Sequence, residues 1–138
     1  YISGDNGGVI MNREILFRGQ WVRNGEWVYG HYVYNPISNE HYIFHETMVA
    51  TTVKPGTVSQ YIGLNDVNGN KIFEGDFVEQ HYPDYDVNHY YNKHNGLIVN
   101  YGYGWKIKDG DIREVYAGFA TVKVIGNKWD NPELVEEE

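Results

Sequence analysis

Turn signals recur along this chain so often that they leave little room for helix. Asn24-Gly25, Asn35-Pro36, Pro55-Gly56, Asn68-Gly69, Gly102-Tyr103-Gly104 and Asp109-Gly110-Asp111 break it into short apolar and aromatic runs. Each break has a mechanism: Gly accepts positive φ, Pro fixes its own φ, and Asn or Asp bonds to nearby backbone. Short strands between such turns predict a mainly β, antiparallel barrel or sandwich. Sixteen glycines and thirteen tyrosines in 138 residues suit that class better than a helical one. The length predicts one compact domain or two very small ones.

The runs give strands at 15–22 and 27–33, separated by Arg23-Asn24-Gly25-Glu26. Asn-Gly predicts a type I′ turn with positive φ at both positions. Further strands are expected over 41–45, 48–53 and 58–64, then turns at Lys54-Pro55-Gly56-Thr57 and 66–70. Ile72-Phe73 and Phe77-Val78 flank Glu74-Gly75-Asp76, a turn of the kind by which a strand enters a small barrel. Residues 96–101 and 105–107 read as a hairpin, 115–120 as strand or irregular structure, and 121–125 as the closing strand. Asn131 then stands where a helix cap belongs and Pro132 at the first helical position, so a short C-terminal helical turn is expected.

Charge limits the partners. The net charge is −8. Residues 64–86 hold six acidic residues and one Lys, and residues 130–138 hold five acidic residues and no base, whereas 87–129 carry a modest positive excess. Phosphate binding needs clustered Lys and Arg, so non-specific nucleic-acid and anionic-membrane binding are disfavoured. No apolar run is long enough to cross a bilayer. The absence of cysteine excludes disulfides and thiolate zinc sites. Residues 1–10 are glycine-rich, lack a secretory layout and precede Met11, and are read as an extension outside the domain.

Four groups of residues invite a chemical reading. The segment 81–94 holds His81, Asp84 and His89, which are acceptable metal ligands, but their spacing matches no metal motif. It also holds Tyr82, Tyr85, Tyr90 and Tyr91, and tyrosine offers a large contact area at low entropic cost. A polar loop between strands, serving as a contact surface, is the expectation, with metal binding as the weaker alternative. Glu74 and Asp76 are read as residues of a turn, Asp76 bonding to nearby backbone N–H groups, in preference to an acid–base pair. His31, His41 and His45 are read as ordinary strand histidines. Tyr101, Tyr103 and Trp105 lie near Lys106, Lys108 and Arg113, which gives the aromatic half of a single-strand-binding groove but only a thin basic half.

Three separated blocks carry a family resemblance. They are Met11-Asn12-Arg13-Glu14-Ile15-Leu16-Phe17-Arg18-Gly19 with Glu26-Trp27-Val28-Tyr29-Gly30; Gln60 to Asp66 with Asn68 to Val78; and Val124 to Leu134. In this order they resemble the YopX family of phage and prophage proteins, while 1–10 and 81–94 match no block. The resemblance implies an SH3-like barrel in the C-terminal part, over 58–138, with a smaller N-terminal β unit over 11–57. It implies homo-oligomers and a bacterial cytoplasmic location, and it brings no established activity. The expected function is therefore non-enzymatic, without cofactor. The expected partner is a protein (a second copy, or a host or phage protein), bound through Tyr82, Tyr85, Tyr90, Tyr91, Tyr103 and Trp105. A nucleic-acid-binding barrel and a metal-dependent enzyme using the His/Asp-rich loop are the alternatives.

Overall fold

A computed structural model describes residues 14–45, 49–81, 93–102, 104–108, 112–115 and 121–135. Eleven strands among them form two antiparallel sheets. The first contains β1 (Phe17–Gln20), β2 (Trp27–Asn35), β3 (Glu40–Phe44), β4 (Ala50–Val53), β5 (Ser59–Asn65) and β6 (Lys71–Phe73), in the order β4-β3-β2-β1-β5-β6. The second contains β7 (Asp76–His81), β8 (Lys93–Asn100), β9 (Trp105–Lys108), β10 (Ile112–Glu114) and β11 (Thr121–Asn127), in the order β10-β9-β8-β7-β11. Turns at Pro55–Thr57 and Pro132–Leu134 are 3-10 helical.

The mainly β expectation holds, but the closed barrel does not. Among the described residues β10 and β11 end the second sheet and do not pair with each other. The outer edge of β11 is already occupied. Val67 N–H donates to Val122 O at 2.8 Å, and Val124 N–H donates to the Asp66 carboxylate at 2.9 Å. The turn between β5 and β6 thus takes the bonds that a closing strand would need. The buried Gln80 side chain on β7 reaches the Glu114 carbonyl at the end of β10, 2.9 Å away, so the sheet curls without closing. The sheets also divide the chain at Glu74-Gly75, between β6 and β7, and not at Thr57: β5 pairs with β1.

The first sheet curls as well. Trp21, just past β1, bridges to Val53, Val22 N–H donates to Thr52 O, and Lys54 N–H donates to Gln20 O. The outer edge of β4 is therefore stitched to the end of β1. The β1–β2 connection differs from the expected two-residue turn. Gly25 N–H donates to Trp21 O at 2.8 Å, Gly25 takes φ +80°, and Asn24 is not at positive φ; its Oδ1 accepts from Glu26 N–H instead. Trp21 keeps the register of the ladder, its N–H donating to Glu26 O at 2.9 Å, so four residues, 22–25, make the loop.

Ile62, Ile72, Val78, Ile98, Ile107 and Val122 form the core between the sheets, flanked by Trp105, Val115 and Val124. Each such aliphatic contributes about 1.5–3 kcal/mol relative to exposure. Pro132 opens the C-terminal turn as expected, but Asn131 does not cap it. Its Oδ1 accepts from Asn127 N–H at 3.1 Å, because the chain leaving β11 exposes that donor first.

Candidate functional site

The strand Phe17-Arg18-Gly19-Gln20 carries one charge, and the fold buries it. Arg18 Nη2 donates to Asp76 Oδ1 at 2.9 Å, and Nε donates to Ser59 Oγ at 3.0 Å. The side chains of the pair are only 6% and 3% exposed. Asp76 Oδ2 accepts from Phe73 N–H at 2.8 Å. The guanidinium lies over Trp27 at 4.4 Å and Phe73 at 4.7 Å, with Trp129 at 5.7 Å. Burial pushes the Asp76 carboxyl above its usual range, against the pull of Arg18.

The closing segment locks over this pair. Trp27 and Trp129 meet edge to face at 5.4 Å. Asp130 accepts from the Trp27 indole N–H at 2.8 Å and from the Gln20 amide at 3.0 Å, and the first of these bonds is the main reason its carboxyl sits below the usual range. Trp129 donates its own indole N–H to Gly56 O at 3.0 Å. Beneath Trp129 lies Gly75 at φ +91°, where a Cβ would sit 2.5 Å from the ring. Burial raises Asp66, but the N–H groups of Val124, Asn70 and Asn68 outweigh it and hold this carboxyl low. All three carboxylates are satisfied by the protein itself. Asp76 therefore does not stand open to solvent beside Glu74. Asp76 does bond to backbone as the sequence suggested, yet it is buried where a solvated turn was expected.

Arg18 stands in the first sequence block, Asp76 in the second, and Trp129 and Asp130 in the third, so the three blocks converge on one junction. A family model described as YopX protein matches residues 16–136, most of the chain. The chain belongs to the YopX family. Among curated proteins, none matches it. The junction accounts for the separated signature of this YopX chain as architecture: it fastens the N-terminal hairpin, the turn between the sheets and the closing segment together.

A different part of the YopX chain faces outward. The pairs Val33 with Tyr42 and His31 with Phe44 put Tyr29, His31, Val33, Tyr42 and Phe44 on one face of the first sheet. Tyr29 and Val33 are 45% and 43% exposed. From Trp27 to Phe44 the only charged residue is Glu40. At the fork where β1 leaves β2, an open depression of about 360 Å³ is lined by Leu16, Tyr29, Gly30, His31, Phe44 and His45. At the hairpin tip, Asn35 Oδ1 accepts from Ile37 N–H and Tyr34 OH donates to Asn39 Oδ1. These bonds build a turn on which Ile37 is 95% exposed.

Of the residues singled out from sequence, Asp76 lies in the junction, and His31 and His45 line the depression. Tyr82, Asp84, Tyr85, His89, Tyr90, Tyr91 and Tyr103 fall outside the described residues. His81 ends β7, exposed. Trp105 is half-buried and packs against the core, and Lys106 pairs with Glu114. His41 shares a hydrogen bond of 2.6 Å with Tyr32 OH and stacks on that ring; His45 bonds to Thr51 Oγ1 at 3.0 Å; His31 is exposed on the open face. Sequence reading missed the Arg18–Asp76 pair and this face. One signal was present for each: a lone charge in a short strand that enters the sheet, and a nine-residue strand with no charge at all.

Proposed function

We propose that this YopX-family protein is a non-enzymatic binding module of phage or prophage origin that acts on a protein in the bacterial cytoplasm. The carrying observation is the open face of β2 and β3. It offers Tyr29, Val33 and half-buried Tyr42 and Phe44 without a Lys or Arg among them, in a chain of net charge −8. Aromatic contact without positive charge suits a protein partner and not a phosphate backbone. The second sheet, open but curled in an SH3-like manner, serves as the support. The satisfied Asp66, Asp76 and Asp130 favour binding over acid–base chemistry, because each is engaged in holding backbone or the junction.

The test is capture from bacterial lysate by three tagged proteins: the native chain, Tyr29→Ser/Val33→Ser, and a chain with residues 81–94 shortened. Loss of a native partner in the double variant alone, with an unchanged circular dichroism spectrum, is expected. Loss only on shortening 81–94 would move binding to that loop. No stoichiometric protein captured by any of the three would overturn the reading.

A further inference from the structure

Alternation along β1 fixes which main-chain groups of β2 are free. Leu16 O accepts from Tyr61 N–H, so the polar groups of Leu16 and Arg18 point to β5, and those of Phe17 and Gly19 point to β2. Their partners on β2 are Gly30 and Val28. Continuing by twos, Tyr32 and Tyr34 present N–H and C=O to that same side, whereas His31, Val33 and Asn35 bond to β3. Among the described residues, no strand stands opposite Tyr32 and Tyr34 there. β1 parts from β2 at Phe17, and Glu14 lies with Lys71 on β6, 3.2 Å away. Exposed edges are ordinarily blunted by charge, proline or a bulge, and His31–Asn35 has none of these.

We propose that a protein partner covers this edge with one extended segment, added antiparallel as a strand in the line that β1 vacates. The proposal rests on the protein-binding reading above and names the form of the partner. The chemistry of the segment follows from three features. The free N–H and C=O groups of Tyr32 and Tyr34, in alternate positions, match another backbone in extended form, and such main-chain bonds are what give strand addition its affinity. Charge supplies the second. The stretch 27–39 contains no Asp, Glu, Lys or Arg, so a charge on the added segment would be desolvated there without a counter-charge. The segment is therefore uncharged where it pairs. The third is the side chain at its centre. The residue opposite Val33 turns toward the face of Tyr29, His31 and Val33, diagonal to His31 and beside the depression lined by Leu16, Tyr29, His31 and Phe44. That hollow of about 360 Å³ has room for a large apolar side chain.

The test uses the full chain and the tightest-binding peptide selected from a random library displayed on phage. Methyl groups are then placed singly on the peptide's backbone nitrogens. They should weaken binding about ten-fold at two residues two positions apart, and less than about two-fold at the residue between them, since only the outer two donate to β2. The Tyr32 and Tyr34 amides should exchange freely in the chain alone and several-fold more slowly in the complex, while Val33 N–H is slow in both. Val33→Lys, at a position 43% exposed, should keep its melting temperature and lose most of the peptide affinity. Three results overturn the proposal: a library that yields no binder, Tyr32 and Tyr34 amides already protected before peptide is added (as a second copy or another part of the chain would make them), or a peptide indifferent to every backbone methyl group. In the last case, a peptide still lost in Tyr29→Ser/Val33→Ser leaves the protein-binding reading standing, because side chains alone then hold the partner.

Discussion

Removing one member of the buried ion pair should destabilise the fold more than any surface change. Arg18→Met keeps much of the packing against Trp27 and Phe73 but leaves the Asp76 carboxylate buried without a counter-charge. Breaking such a pair from one side costs about 3–5 kcal/mol. Asp76→Asn keeps an acceptor for Phe73 N–H but strands the guanidinium, with a loss of similar size. A domain of this size holds about 5–15 kcal/mol in total, so either change removes a large share. The double variant Arg18→Met/Asp76→Asn strands neither charge, and its loss should fall about 2–3 kcal/mol short of the sum of the singles. Urea unfolding read by tryptophan fluorescence and by circular dichroism measures all four proteins. Trp27 and Trp129 sit on the guanidinium and report the junction; the strands report the whole. Single losses under about 1 kcal/mol, or losses that simply add, would refute the view that this pair fastens the sheets.

Other changes have predictable signs. Gly75→Ala combines a residue at φ +91° with a Cβ 2.5 Å from Trp129, and should cost about 2–4 kcal/mol with a shift in tryptophan emission. Gly25→Val, at φ +80°, should cost about 1–3 kcal/mol in the same urea assay, and overlaid curves would contradict the turn assignment. The low carboxyls of Asp66 and Asp130 contribute stability that is complete above the unfolded value near 4 and is lost as pH falls through their folded values. Asp66→Asn should therefore be less stable at neutral pH and show a shallower loss in acid, measured as the urea midpoint at several pH values.

Much of the strand pattern was legible because turns are local. The breaks at Asn35-Pro36, Pro55-Gly56, 66–70 and Gly75 stand where Gly, Pro and Asx residues place them. What stayed hidden depends on pairing between distant segments. The run 59–65 reads as a strand, but nothing in it says that it pairs with β1 and not with the second sheet. Barrel closure failed for the same reason: the Asp66 turn that takes the edge of β11 is far away in sequence. Arg18 and Asp76 are 58 residues apart, and each alone reads as a solvated charge. The open face was obscured by its own composition, since alternating aromatic residues on β2 mark a strand without saying which side another layer covers.

Amide hydrogen exchange of the chain alone and in complex with a protein captured from bacterial lysate tests the central claim that the open face of β2 and β3 is a contact surface. Trp27–Asn35 and Glu40–Phe44 should exchange several-fold more slowly in the complex, while the β7 and β11 amides stay constant. Equal exchange over both strands with and without the captured protein, in a chain that remains folded, would contradict it.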